Sequence, residues 1–318
     1  MVVKKVFLIK PRGFCAGVKR AIEVVESALE LFGKPVYVKH EIVHNKKVVE
    51  ALEKKGAKTI EDLNTVPEGS VVVFSAHGSS PENYALAEKR NLKVIDATCP
   101  LVTKVHLEVK KFAKEGFKII YVCHKGHAEA EGVLAELKQG IFAVENKEDV
   151  KKLNLGKTEK LVYLTQTTLS VDETKEIIQA IKKKFPQIED SPKEDICYAT
   201  TNRQSAIKEL VKKVDLVLVV GSKTSSNSKR LMETARAQGK PAFLVDGVED
   251  LQEKWFEKIE AVGISAGASS PEKVVQEIAD YFIEKGAEKE EYIVLEEKMK
   301  FVEPFELTKM RKEKLTGF

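Results

Sequence analysis

Short apolar, β-branched runs recur along the chain, and most are followed by a stretch whose apolar residues return at every third or fourth position. VFLI precedes AGVKRAIEVVESALELFG, VVVF precedes PENYALAEKR, and KVIDA precedes PLVTKVHLEVKKFAKEG. Continuous Val/Ile runs predict strands buried on both faces, and the helical period predicts amphipathic helices packed beside them. The strand series continues as KIIYV, KLVYLT, DICYA, DLVLVV, AFLV and AVGI. Strands that alternate with helices pair in parallel, so the expected fold class is α/β with mainly parallel sheets.

Two loops that follow such runs resemble each other: Ser75-Ala76-His77-Gly78-Ser79-Ser80-Pro81-Glu82 and Ser265-Ala266-Gly267-Ala268-Ser269-Ser270-Pro271-Glu272. Ser80 and Ser270 suit a helix N-cap, because a serine oxygen accepts an orphan amide N–H. Pro81 and Pro271 suit the first helical position, where the missing N–H costs nothing. The likeness predicts a duplicated α/β block. The expected division is a first lobe over 16–98, a second over 99–194, a third built from 1–15 with 195–287, and a tail over 288–318.

Length agrees with this, since 318 residues exceed what one hydrophobic core serves well. The 53 basic and 49 acidic residues nearly cancel, and no long block of one sign stands out. That balance argues against nucleic acid and leaves a small anion as the natural charged ligand. The apolar start MVVKKVFLIK is too short for a signal peptide, and no run approaches the roughly 18 apolar residues of a membrane span. A cytoplasmic location is therefore expected. Thiols stay reduced there, so the four cysteines are read as core residues, catalysts or metal ligands rather than a disulfide framework.

Cys15, Cys99 and Cys197 share a setting: each follows an apolar run and precedes a small-residue turn that opens a helix. The positive end of a helix dipole favours the thiolate, the form needed for metal binding or nucleophilic attack. Any one of them alone is more simply a small buried hydrophobe, and no C-x-x-C pair is present. Cys123 ends KIIYVCHKGH with no helix directly after it and is read as structural. His44, His77 and His127 stand in loops after apolar runs, where parallel α/β folds bind ligands. The hydroxyl-rich loops Thr165-Gln166-Thr167-Thr168, Ser222-Lys223-Thr224-Ser225-Ser226-Asn227-Ser228 and Ala268-Ser269-Ser270 each join a strand to a helix. Backbone amides and hydroxyls there can converge on an anion such as diphosphate, although ordinary helix capping uses the same residues. Glu129 lies two residues after His127; shielded from water it would hold a proton at neutral pH, and exposed it would simply favour a helix start alongside Glu131. On residues alone three readings stay open: an iron–sulfur enzyme, a zinc or thiol enzyme acting on phosphate esters, and a non-catalytic iron–sulfur sensor of a phosphorylated metabolite.

PRGFCAGVKRAI, IVHN, SAHGSSP, DATCPLV, GHAEAEG, TQTTLS, DICYATTNRQ, GSKTSSNS and SAGASSP, in that order, closely resemble the 4-hydroxy-3-methylbut-2-enyl diphosphate reductase family, also called LytB or IspH. The resemblance implies three α/β lobes around a central cavity that holds an iron–sulfur cluster. It implies reductive dehydroxylation of 4-hydroxy-3-methylbut-2-enyl diphosphate to isopentenyl and dimethylallyl diphosphates, the last step of the non-mevalonate isoprenoid pathway. It further implies one [4Fe-4S] cluster held by Cys15, Cys99 and Cys197, and a diphosphate held by His44, His77, His127, Ser225, Ser226, Asn227 and Ser269. Thr167 would position the substrate hydroxyl, Glu129 would supply protons, and a ferredoxin or flavodoxin would supply electrons. Two departures stand out. Ala128 occupies a position where the family usually has Pro, and the tail from about residue 288 matches poorly.

Overall fold

A computed structural model of the chain describes residues 3–191 and 194–316. Its strands are β1 (Lys5–Lys10), β2 (Val36–Lys39), β3 (Ala57–Ile60), β4 (Val71–Phe74), β5 (Lys93–Asp96), β6 (Lys118–Val122), β7 (Ile141–Val144), β8 (Leu161–Thr165), β9 (Leu216–Val220), β10 (Ala242–Val245), β11 (Ala261–Ala266) and β12 (Glu288–Ile293). Its α-helices are α1 (Ala16–Phe32), α2 (Lys46–Lys55), α3 (Pro81–Lys89), α4 (Pro100–Lys114), α5 (Ala128–Leu134), α6 (Lys147–Lys152), α7 (Val171–Lys184), α8 (Tyr198–Leu210), α9 (Ser226–Ala237), α10 (Glu272–Ile283) and α11 (Phe305–Thr316). The strands form three sheets, ordered β10-β9-β11-β1-β12, β3-β2-β4-β5 and β7-β6-β8. Every strand pairing among the described residues is parallel, as the alternating pattern predicts.

The chain divides into two compact units. One holds the residues up to Ala16, His44–Val48 and Tyr198–Lys300, and so the five-stranded sheet; the other holds Gly17–Val43, Val49–Cys197 and the residues from Phe301 on, with the two smaller sheets. In the first unit the strand alternation is plain. Leu8, Leu216, Leu218 and Ile264 pack on one side with Val275, Ile278 and Phe282 of α10. Phe7, Ile9, Val217 and Val219 pack on the other with Ile207 and Leu210 of α8 and Leu231 of α9. Successive side chains of a strand point to opposite faces, so a sheet covered on both sides needs the continuous apolar runs seen here. Each fully buried Leu, Ile, Val or Phe contributes roughly 1.5–3 kcal/mol relative to its exposed state.

Two local expectations fail. DICYA is not a strand among the described residues. Asp195 instead accepts the Thr165 amide (2.9 Å) and pairs with Lys104 (2.7 Å), and the Cys197 amide donates to the Thr167 carbonyl (3.0 Å), so these groups bond to a loop and a side chain rather than a sheet ladder. Ser270 is not an N-cap: α10 begins at Glu272 behind Pro271, while the buried Ser270 hydroxyl donates to the Val220 carbonyl at 2.7 Å. β12 lies within the segment read as tail, and its polar EKEEYI sequence runs along the exposed edge of the five-stranded sheet beside β1.

Candidate functional site

Most residues singled out above lie in loops that follow strands or in the first turn of the helices those loops open; Cys197 instead follows the segment after α7. Cys15 lies between β1 and α1, Cys99 is the N-cap of α4, and Cys197 immediately precedes α8. Their backbones are held alike. The Cys15 amide donates to Ala268 (3.1 Å), that of Cys99 to Ala76 (3.0 Å) and that of Cys197 to Thr167 (3.0 Å). Each acceptor belongs to a loop flagged for binding: Ala268 precedes Ser269, Ala76 precedes His77, and Thr167 is itself a candidate. All three thiols are partly exposed, and no disulfide joins cysteines among the described residues. Cys123 differs. It is 1% exposed within the core of Val105, Tyr121, Val162 and Leu164, and burial pushes its thiol up to about 12.

Buried arginines brace the cysteine loops. Arg203, wholly buried, donates to the carbonyls of Gly13 (2.8 Å) and Ala199 (3.0 Å) and pairs with Glu297 at 2.9 Å. Arg12 forks between Glu272 (2.7 Å) and Glu291 (2.9 Å) with only 4% of its side chain exposed. Arg20 donates from Nε to Val302 (2.7 Å) and from Nη1 to Thr98 (2.9 Å), fastening the segment before α11 to the residue before Cys99. In the buried Arg203–Glu297 pair, removing one partner leaves the other desolvated and unpaired, which typically costs about 3–5 kcal/mol.

The second unit brings together His77, His127, Glu129 and Thr167. The His40 and His77 rings meet edge to face at 5.9 Å, and His77 and His127 at 6.0 Å, so three imidazoles stand in a row. Nδ1 of His127, the N-cap of α5, accepts the Glu129 amide at 3.2 Å, which leaves Nε2 to carry the ring proton. Glu129 is 2% exposed. Its carboxylate accepts the Thr167 amide (2.7 Å) and the Thr167 hydroxyl (2.9 Å). Burial pushes its pKa up to about 7 against the opposing pull of those two bonds. Gln166, wholly buried, receives the His124 amide (2.9 Å) and donates to the Thr168 hydroxyl (3.0 Å), which holds the Thr165–Thr168 loop against the one that leads to Glu129.

The first unit gathers His44, Ser225, Ser226, Asn227 and Ser269. Ser225 caps α9 by accepting the Ser228 amide, and Ser226 and Asn227 form the first turn, where the helix dipole favours an anion. Asn227 accepts the Ala268 amide (2.9 Å) and donates to Thr200 (3.3 Å), and the Ser269 hydroxyl donates to the His44 carbonyl at 3.1 Å. Gly221 and Gly267 both face Ser228; a Cβ would lie 2.2 and 2.0 Å from its hydroxyl oxygen, so only glycine lets the two loops close on this helix.

A family model described as LytB protein matches residues 6–283. The chain belongs to the LytB family. It is 50% identical over 307 residues to the 4-hydroxy-3-methylbut-2-enyl diphosphate reductase of Actinobacillus succinogenes, covering 95% of this chain and 98% of that protein. The corresponding protein of Haemophilus influenzae is 52% identical with the same coverage. Among solved structures, the E-1-hydroxy-2-methyl-but-2-enyl-4-diphosphate reductase of Plasmodium falciparum aligns with a TM-score of 0.96 and 44% identity over 98% of this chain and 99% of that one. No helix among the described residues is long and apolar enough to cross a membrane.

Several supporting residues of this family member escaped the sequence reading. Arg12, Arg20, Arg203, Gln166 and Asp195 look like ordinary surface residues by type, and only their burial marks them. The one available signal is position, since all five fall inside segments that carry the family resemblance.

Proposed function

We infer that the chain catalyses the reductive removal of the hydroxyl group of 4-hydroxy-3-methylbut-2-enyl diphosphate, giving isopentenyl and dimethylallyl diphosphates in the last step of the non-mevalonate pathway. The observation that carries this reading is half-identity over 95% of the chain to an enzyme named for that reaction. The balance requires two electrons and two protons. The allylic C–O bond breaks, the hydroxyl leaves as water with one proton, and the second proton ends on carbon.

The family is iron–sulfur dependent, and the residues here fit such a group. Cys15, Cys99 and Cys197 are partly exposed residues at helix starts, whereas Cys123 is enclosed by the apolar side chains of its core. The three cysteines would hold one [4Fe-4S] cluster. Bound there, it supplies single electrons and an open iron that acts as a Lewis acid. His44, His77, His127, Ser225, Ser226, Asn227 and Ser269 bind the diphosphate, whose remote binding energy orients the reacting carbon. Thr167 orients the substrate hydroxyl, and Glu129, buried behind it, supplies protons. A ferredoxin or flavodoxin delivers the electrons. Three lobes with boundaries near residues 98 and 194 describe the domain plan.

Oxidation of reduced viologen by anaerobically purified protein tests this directly. Substrate-dependent electron consumption is the expected result; its absence in protein with intact cluster would sink the assignment. Glu129→Gln should retain cluster and substrate but turn over about 10²–10⁴-fold more slowly. The proton-bearing form of Glu129 declines above pH of about 7, so kcat should fall on the alkaline side with an apparent pKa near that value.

A further inference from the structure

His106 sits mid-way along α4, seven positions after Cys99 and so on the same helical face, and is 7% exposed. Its Nδ1 meets Glu136 Oε1 at 2.6 Å, just beyond the end of α5, and Glu136 in turn pairs with Lys110 at 3.0 Å with 4% of its side chain exposed. That contact fixes the rotation of the ring. The opposite edge then presses on two glycines. A Cβ at Gly78, where φ is +85°, would lie 2.7 Å from His106 Nε2, and one at Gly132 of α5 would lie 3.5 Å from Cε1 and 3.6 Å from the Ser79 amide nitrogen. Nε2 has no hydrogen-bond partner among the described residues, so its contact with the Gly78 loop is one of shape.

A single imidazole on α4, behind Cys99, thus faces the loop of His77 and the helix that starts at His127 and holds Glu129, and bonds just past that helix's end. We propose that His106 is a positioning residue, whose ring sets the spacing between the His77 loop and α5. A purely apolar filler would suit the core at lower cost, since burying a histidine–carboxylate pair incurs desolvation that apolar contacts avoid. The directional bond to Glu136 is what an apolar residue lacks, and it is what aims the ring edge at Gly78. A shift of about 1 Å in the His77 loop or in α5 would move diphosphate donors and the proton source together, and misplacement on that scale costs up to about 10²-fold in rate.

The inference rests on the site reading above, so the test separates the two. His106→Asn keeps an N–H near the Nδ1 position for Glu136 but removes the ring edge; Glu136→Leu keeps much of the volume but removes the acceptor that fixes the ring. Iron and sulfide content, the spectrum of the substrate-free cluster, KM, kcat and inhibition by inorganic diphosphate are measured for both, with His77→Ala alongside. The expected result for His106→Asn is unchanged iron and spectrum with KM and the diphosphate inhibition constant raised about tenfold and kcat lowered about tenfold. Values within twofold of the parent overturn the proposal, as does a loss that merely follows iron content at constant KM. If His106→Asn does not fold, Glu136→Leu is judged by the same criteria. An unchanged KM in His77→Ala would indict the site itself, whereas a raised KM there with a normal His106→Asn would remove only the role of His106.

Discussion

The two loops that look duplicated in sequence, Ser75–Glu82 and Ser265–Glu272, are supported differently. In both, the matching alanine receives a backbone amide from a cysteine-bearing segment: Ala76 from Cys99 itself, Ala266 from Gly13 (3.3 Å), with Cys15 reaching Ala268 two residues on. Behind the first loop stands the large ring of His106, against Gly78; behind the second stands the small hydroxyl of Ser228, against Gly267. The first loop presents an imidazole, His77, and the second a hydroxyl, Ser269. Ser80 caps its helix by accepting the Asn83 amide, while its counterpart Ser270 turns inward to a strand carbonyl. The repeated motif keeps the alanine acceptor, but the left-handed backbone at Gly78 has no counterpart at Ala268, and the side chain behind each loop differs with the chemistry the loop offers.

The largest test of this comparison concerns the cysteines that the loops hold. Cys15→Ser and Cys99→Ser should each abolish cluster binding and turnover, and Cys123→Ser should keep both, as iron and sulfide analysis would reveal; retention of the cluster by only one of the first two would mean that the loops do not serve one centre. Next in size is the contrast between presented groups. Loss of a hydrogen bond to a charged partner is worth about 1.5–3 kcal/mol, so His77→Ala should raise KM roughly ten- to a hundredfold. Ser269→Ala, removing a neutral hydroxyl already engaged by a carbonyl, should raise it only about fivefold. Equal effects would erase the distinction. Smallest is the difference in the serine pair: Ser270→Ala should destabilise by about 0.5–1.5 kcal/mol, losing a buried hydrogen bond although the Val220 carbonyl keeps the Gly267 amide, and Ser80→Ala by about 0.5 kcal/mol through loss of a half-exposed cap. Denaturant titration of both variants reads this, and the reverse ranking would contradict the inward role of Ser270.

Much of the fold was legible because its causes are local. Apolar runs such as DLVLVV and periodic stretches such as AGVKRAIEVVESALELF bury in only one way, and both form the elements they predict. DICYA was misread because its apolar residues match a strand while its amide and its acidic side chain find partners in another loop. β12 was missed for the opposite reason: EKEEYI has little to bury, and it takes its place as an edge strand by hydrogen bonding along β1. Nothing near His106 in sequence announces Gly78, Gly132 or Glu136, which come to it from other segments.

The sequence by itself determined the alternation of parallel strands and helices, and through nine ordered motifs it determined the family and the residue types available for chemistry. Only the tertiary structure decided which of those residues are buried enough to change character. Glu129 is an ordinary carboxylate in the string of letters; removal from water brings its pKa to about 7. Cys123 and Cys99 are the same thiol until one is enclosed by apolar side chains and the other is placed at a helix start. Hydrophobic pattern and helix period act between near neighbours, whereas desolvation depends on every atom within several ångströms, and those atoms come from segments far apart in the chain.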